Sequence, residues 1–426
     1  MNTKIQNDIK ELVEAQVISN QVATNIENYY KSKKIDTPNR LFTVFAVLGS
    51  TLVGLGIILI LAHNWDNFSR SIKTGFAFAP LIIGQFIVGY SILKNKSATW
   101  KEASGVFLFF AVGASMALIS QIYNIPGNFS SYILIWVLLC APLIYLLKSN
   151  ALAILHIVFA INYACAFGYF DDNKTPWMYI LLLAVLLPHY YQLLKQKPLH
   201  NITSIFNWLL PLSVIVVLGT FIDKSGEFGF LMYVILFGLL YNIGKLPFFD
   251  NQKLRRNGYL ILGSLGTIYM LLLTSFEWLW QDILRHDIVF GTQEFYVSIA
   301  LFLITLGVIV YSYSKKWIQN FNLFQYVFII FTVIFFVGMS GNFISILLIN
   351  LLILALGIIA IKIGADKFHF GILNYGLLII TALIVCRFFD TNMSFVVRGL
   401  LFVSVGVGFF FTNYMMLKRQ KKTKIK

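Results

Sequence analysis

The sequence predicts an all-α polytopic transmembrane helix bundle of about fourteen spans, within a range of roughly twelve to fifteen, headed by a small N-terminal helical hairpin. Three observations carry that reading. Only 12% of the residues are charged, 58% are hydrophobic and the mean hydropathy is +0.77, whereas a soluble domain carries about 25% charge. Apolar runs of roughly 20 residues, the length a bilayer asks of a helix, follow one another from Leu41 to Leu417 with short connections. Lys and Arg collect in alternate connections, as they do where cytoplasmic loops retain positive charge.

Residues 1–40 form the one polar segment of any length. Ile5, Ile9, Leu12 and Val13 recur at helical spacing, and Val22, Ile26, Tyr29 and Tyr30 do so after a break near Ser19, a natural N-cap for the second helix. Each helix has one apolar stripe, and the pair is too small to be stable alone. The stripe therefore packs on the membrane surface, on another copy or on a protein partner; the pattern does not choose among them.

The expected spans are 41–62, 74–93, 103–121, 131–147, 151–170, 176–194 and 204–222, then 228–243, 258–277, 295–313, 321–338, 343–361, 368–387 and 396–417. The run 228–243 is short, and 321–338 is parted from 343–361 only by a break from Met339 to Asn342. With the N-terminus cytoplasmic, the cytoplasmic segments hold 26 of the 33 basic residues. The opposite face receives Arg70, Lys73, Lys174, Lys224, Arg285, Arg387 and Arg398. A missed or invented span would scramble this alternation, so an even number of spans and two cytoplasmic termini are expected, in the cell inner membrane. The organisation read from this is a cytoplasmic hairpin at 1–40, membrane regions at 41–150 and 151–417, and a basic cytoplasmic tail at 418–426.

The net charge of +15 raises the question of nucleic acid, but the basic residues sit between apolar runs and not on a folded polar surface. No nucleic-acid partner is expected. The lipid bilayer is the partner throughout, and the tail KRQKKTKIK after the last span suits anionic lipid. Cys140, Cys165 and Cys386 all fall within apolar spans without metal-ligand spacing, and no disulfide framework follows. The first apolar run starts too late and is too long for a cleavable secretory signal.

Catalytic motifs are missing: there is no His-Glu-x-x-His, Gly-x-Ser-x-Gly or Walker loop, and no cofactor site is expected. Glu277, Asp282, His286 and Asp287 cluster in one connection, where helix-end solvation explains them as well as a membrane transferase would. The acids lie in the terminal segment, in loops or at span ends, unlike the midplane carboxylates of many ion-driven carriers. Deeper polar groups include Gln85, His156, Asn162, Asn350 and Asn374, the kind that bond helix to helix. His189 follows Pro188 and suits a kink. Pairs of small residues four apart, Ser50 and Gly54, Ala111 and Ser115, Gly113 and Ala117, Ser404 and Gly408, allow close helix approach. A Leu-Gly-aliphatic echo recurs at Leu55, Leu306 and Leu356, and two seven-span halves would make an inverted repeat.

Three polar clusters fall on the predicted non-cytoplasmic face. The first, His63-Asn64-Trp65-Asp66, closes the first span; the second runs from Ser120 through Gln121, Tyr123 and Asn124 to Pro126-Gly127-Asn128. The third is Arg387 and Asp390, one helical turn apart, with Arg398 entering the next span. Interfacial caps and a clamp between the last two spans are one account of these groups. The other is a single polar rim of Asn64, Trp65, Asp66, Gln121, Tyr123, Asn124, Arg387, Asp390 and Arg398, able to hold an anionic or zwitterionic head group or a sugar.

The hairpin, the block GLGIILILAHNWD, the block ISQIYNIPGN and the helix WVLLCAPLIYLL resemble the bacterial membrane proteins of domain-of-unknown-function family 2157, over roughly residues 5–150. The later RFFD at Arg387 to Asp390, followed by Arg398-Gly399-Leu400 and the closing span to Asn413-Tyr414, is similar to the C-terminal part of its long members. The resemblance implies a polytopic membrane protein and no mechanism. The function expected first is non-enzymatic binding or transport of a lipid-like or envelope-related small molecule at the polar rim. A structural or sensory scaffold acting through the hairpin is the second reading, and a membrane-embedded transferase the third.

Overall fold

The structure, a computed structural model, describes residues 3–32, 65–170, 174–223, 226–249, 252–281, 290–317, 322–339, 344–390 and 395–424. The expected first span at 41–62, with Ser50, Gly54 and Asn64, lies outside the described residues, as do Lys224, Asp282, Arg285, His286 and Asp287. The chain divides into two compact units, Met1–Phe76 and Ala77–Lys426.

In the first unit α1 (Thr3–Glu14) and α2 (Asn20–Ser32) form the expected hairpin. Ser19 Oγ accepts from Val22 N at 3.4 Å, which places it where a helix N-terminus needs an acceptor. Ile9 is buried, while Leu12, Val17 and Val22 are exposed.

Every expected span after the first coincides with a helix. They are α3 (Arg70–Leu93), which runs from the first unit into the second, α4 (Ala98–Tyr123), α5 (Phe129–Leu147), α6 (Asn150–Cys165), α7 (Met178–Gln196) and α8 (Asn201–Leu218). Then come α9 (Gly226–Ile243), α10 (Gly258–Thr274), α11 (Gln293–Ser314), α12 (Leu323–Met339), α13 (Ile344–Asp366), α14 (Phe370–Asp390) and α15 (Phe395–Lys424). No strand occurs among the described residues. Ten of these helices are long and apolar enough to cross a membrane, and α10 and α12 are shorter apolar helices. Large apolar side chains face outward, Phe86 at 75% and Phe410 at 83% exposure, as lipid-facing positions must when a helix satisfies its own backbone. The protein is an all-α, multi-pass membrane protein.

The short run at 228–243 is the hub of the second unit. α9 packs on α8, α10, α11 and α12, and twelve of its residues are buried. A helix enclosed by other helices meets little lipid and tolerates polar groups that are paired. Asn242 and Gln325 are paired in this way: Gln325 Nε2 donates to Asn242 Oδ1 at 3.1 Å, and Asn242 Nδ2 donates to Gln325 O at 3.2 Å. α12 and α13 are separate helices, as the break after Met339 predicts, and they pack together. α13 and α14 approach most closely, because a Cβ on Gly364 would lie 2.3 Å from Leu373 N and one on Gly376 2.6 Å from Ile361 N. The basic residues after Leu417 continue α15 as far as Lys424.

Candidate functional site

The hairpin of α4 and α5, with α3 laid against it, forms an apolar groove. α3 and α4 run antiparallel: Gly84 lies beside Leu108, where an added Cβ would come within 3.1 Å, and Ser115 Oγ donates to Ala77 O at 2.6 Å. Gly113 admits the Trp136 ring, 2.3 Å from where a Cβ would stand, and Trp136 Nε1 donates to Phe109 O at 2.8 Å. Gly113 and Ser115 therefore serve the close approach their spacing predicts, whereas Ala117 and Ser404 are exposed and Gly408 has open space beside it. Phe78, Leu81 and Gln85 of α3 line a half-open groove of about 540 Å³. Leu108, Val112, Ser115, Met116 and Ile119 of α4 form its floor, with Leu139 and Leu143 of α5 opposite. Gln85 and Ser115 are its polar groups.

Beyond Ile119, the last groove residue on α4, the helix ends in the second polar cluster. α4 ends at Tyr123 because Asn124 adopts a left-handed conformation, φ 50°, which Asn tolerates better than most residues. Ile125 N then donates to Ser120 O at 2.9 Å, Ser120 Oγ donates to Ile125 O at 3.0 Å, and Asn128 Oδ1 caps α5 by accepting from Ser131 N at 3.0 Å. Ser120 and Asn128 are thus helix-end groups. Gln121, Tyr123 and Asn124 are exposed, and of the three Tyr123 continues the groove face of α4, four residues after Ile119.

Asn64 is outside the described residues, and Trp65 and Asp66 belong to a short 3-10 turn in the first unit, where Lys73 Nζ sits 5.6 Å from the Trp65 ring centroid and Asp66 is exposed. Arg387 is half-buried near the end of α14. Its Nη2 donates to Ser275 O at 2.9 Å and Ser275 Oγ at 3.1 Å, and its guanidinium lies 5.3 Å from the Phe276 ring centroid. Arg387 therefore ties α14 to the end of α10. Asp390 ends α14 and Arg398 falls in the first turn of α15. α4 packs chiefly on α5 and α6, and α14 on α13, α15 and α10, so the Gln121 and Arg387 groups have different neighbours.

The opposite end of the hairpin carries a carboxylate that sequence reasoning left among the span-end acids. Glu102 accepts from Asn150 N at 2.9 Å, Ala151 N at 3.0 Å and the Ser149 hydroxyl, the groups that open α6. His189 Nε2 lies 3.1 Å from Asn150 Oδ1, which joins α7 to the same cluster.

Residues 10–153 match the family model described as Predicted membrane protein (DUF2157). The resemblance carried by the hairpin and the two polar blocks is thereby shown over that stretch. No curated protein and no solved structure matches the chain. The DUF2157 stretch contains the whole groove, the Gln121 to Asn124 cluster and Glu102 with the backbone groups it caps.

Beyond the DUF2157 stretch, Glu294 is a second acid missed by sequence. It is fully buried in the first turn of α11, and its Oε1 accepts from Asp223 N at 2.5 Å. Beside it Gln293 accepts from Thr175 Oγ1 at 2.7 Å and donates to Phe221 O at 3.2 Å. An acid just after Thr292 is a helix-start signal, but its enclosure comes from segments far away in sequence. Deep polar groups divide similarly: His156 Nε2 meets Leu182 O of α7 at 2.8 Å, while Asn162 Nδ2 returns to Val158 O of its own helix at 2.8 Å.

Proposed function

We propose that the protein binds, and in doing so moves, a lipid-like or envelope-related amphiphile, with its chain in the α3–α5 groove and its head group at a non-cytoplasmic polar rim formed by Gln121, Tyr123 and Asn124. The observation that carries the proposal is continuity: the face of α4 that lines the groove with Leu108, Val112, Met116 and Ile119 reaches the exposed Tyr123 one turn after Ile119, where the helix ends in its polar cluster. A pocket of a few hundred Å³ with few polar groups suits a hydrocarbon chain, and the exposed phenol one turn beyond it suits the polar part of the same molecule. The proposal does not require Asn64, Trp65, Asp66, Arg387, Asp390 or Arg398. The charge alternation supports a non-cytoplasmic rim and contact of the basic end of α15 with anionic lipid at the other face.

Filling the groove tests the proposal. Met116→Trp, with Leu139→Trp as a second variant at a more exposed lining position, should weaken binding of a diacyl lipid probe at least tenfold, about 1.4 kcal/mol, with thermal unfolding unchanged. Unchanged binding in both folded variants would remove the groove from the account. One observation favours a scaffold in that event: the hairpin belongs to a compact unit of its own and leaves Leu12, Val17 and Val22 exposed for a partner or a second copy.

A further inference from the structure

Two connections of the second unit, 197–200 between α7 and α8 and 244–257 between α9 and α10, are tied together by side chains. Arg256 Nη1 donates to Leu199 O at 2.6 Å and its Nη2 to Asn201 Oδ1 at 2.7 Å. In return Asn207 Nδ2, buried in α8, donates to Arg256 O at 2.9 Å, and Trp208 Nε1 donates to Arg255 O at 3.1 Å. The longer connection is also held from within, by two 3-10 turns, Pro247–Phe249 and Leu254–Arg256, and by Asn257 Nδ2 donating to Gly244 O at 2.7 Å. The planar fork of Arg256 bridging a carbonyl and an amide fixes the two connections side by side.

Lys197, His200, Lys253 and Arg255 each lie within three residues of that junction, and all four are exposed. Residues 195–200 and 244–257 together hold six Lys and Arg residues against one acid, Asp250, which lies outside the described residues. No Asp or Glu occurs from Met178 to Phe221. Positive charges gathered at one bonded junction act together, since screening at physiological salt sets in over about 8 Å.

The same junction borders hydrocarbon. Trp208, half-buried, stands on one face of α8 with Ile205 three positions before it and Leu212 and Val216 four and eight after it, all three exposed. Trp favours head-group depth, and here its ring nitrogen is bonded to the backbone of the basic turn. A soluble anion gains nothing from the apolar face beneath; a phospholipid lays its chains along it.

We propose that this junction binds an anionic phospholipid, with the phosphate among Lys197, Lys253 and Arg255 and the chains along Ile205, Leu212 and Val216. Lys and Arg supply the charge-assisted bonds a phosphate needs, and the charge alternation assigns the lipid to the cytoplasmic leaflet. The site is separate from the α3–α5 groove and does not depend on it.

The test is equilibrium binding of a fluorescent phosphatidylglycerol to the full-length purified protein in a neutral detergent. Unlabelled phosphatidylglycerol should displace the probe at a mole fraction at least about tenfold lower than phosphatidylcholine of identical chains. Lys197→Gln, Lys253→Gln and Arg255→Gln combined should weaken probe binding at least about tenfold. Lys94→Gln, Lys316→Gln and Lys367→Gln combined remove the same charge from exposed positions on other connections of the same predicted face, and should weaken it less than about threefold. Thermal unfolding should be unchanged in both, and Arg255→Gln alone, with a smaller loss in the same direction, serves should the first combination not fold. Glycerol phosphate, which has the phosphate without the chains, should leave the probe bound. Equal losses in the two combinations, equal competition by phosphatidylcholine, or displacement by glycerol phosphate would each overturn the inference.

Discussion

At the start of α6 the first backbone N–H groups have no partner within the helix, and Glu102 supplies one from α4. Removing that carboxylate leaves Ser149 Oγ, Asn150 N and Ala151 N facing a space that water does not reach easily. Glu102→Ala is expected to lower stability by about 2 kcal/mol, and Glu102→Gln, which retains an acceptor oxygen, by roughly half of that. Thermal unfolding of the purified variants measures both. An equal loss in the two would mean that the negative charge, and not the acceptor, is what the helix start requires. Ser149, Asn150 and Glu102 are each visible in the sequence, but the 47 positions that separate Glu102 from Ser149 hide their meeting. Arg387 is similar: a charge at a span end announces that it needs a partner, while the partner, Ser275, lies 112 positions away. Glu294 announces still less, since an acid in a first helical turn is ordinary and only tertiary packing buries it.

Prolines lie inside α3, α5, α7 and α8. A proline removes the N–H that would serve the carbonyl four residues earlier and loosens the bond to the next one. In α3 the carbonyl three residues before Pro80, that of Ala77, accepts from Ser115 Oγ. In α7 the carbonyl three residues before Pro188, that of Val185, accepts from the Tyr145 hydroxyl. In α8 the carbonyl that Pro211 leaves unserved belongs to Asn207, and Gly258 approaches it so closely that a Cβ would stand 2.4 Å from the oxygen and 2.9 Å from Trp208 Cα. Gly258→Ala should therefore force backbone movement and cost about 1–3 kcal/mol. Gly89→Ala, with open space around the added Cβ, should be neutral or stabilising by up to about 1 kcal/mol. Comparing their unfolding midpoints decides whether the close approach at Pro211 or helix propensity alone governs these positions. The helices themselves are legible because apolar runs of about 20 residues have few alternatives in a bilayer. α9 is the least legible because a central helix surrounded by others needs neither full length nor a lipid-facing side.

Across the whole molecule, the DUF2157 stretch carries the groove, the Gln121 to Asn124 cluster and the Glu102 cap, while the rest of the second unit is built around α9. The architecture follows from composition and run length. The groove does not, because it depends on where Gly84, Gly113 and Pro80 let three helices approach and where Phe78, Met116 and Leu139 leave a gap. Small residues four apart forecast close contact, but they do not say whether the surface beside that contact is filled. The polar clusters are legible as clusters; that Arg387 binds Ser275 is a property of packing. The most direct measurement is photo-crosslinking from inside and outside the groove, using p-benzoylphenylalanine at Met116 and, on the outer face of α3, at Phe86. After extensive detergent washing and irradiation, intact-mass analysis should find lipid adducts at position 116 and none at position 86. Adducts lost equally from both positions would contradict a specific amphiphile in the groove.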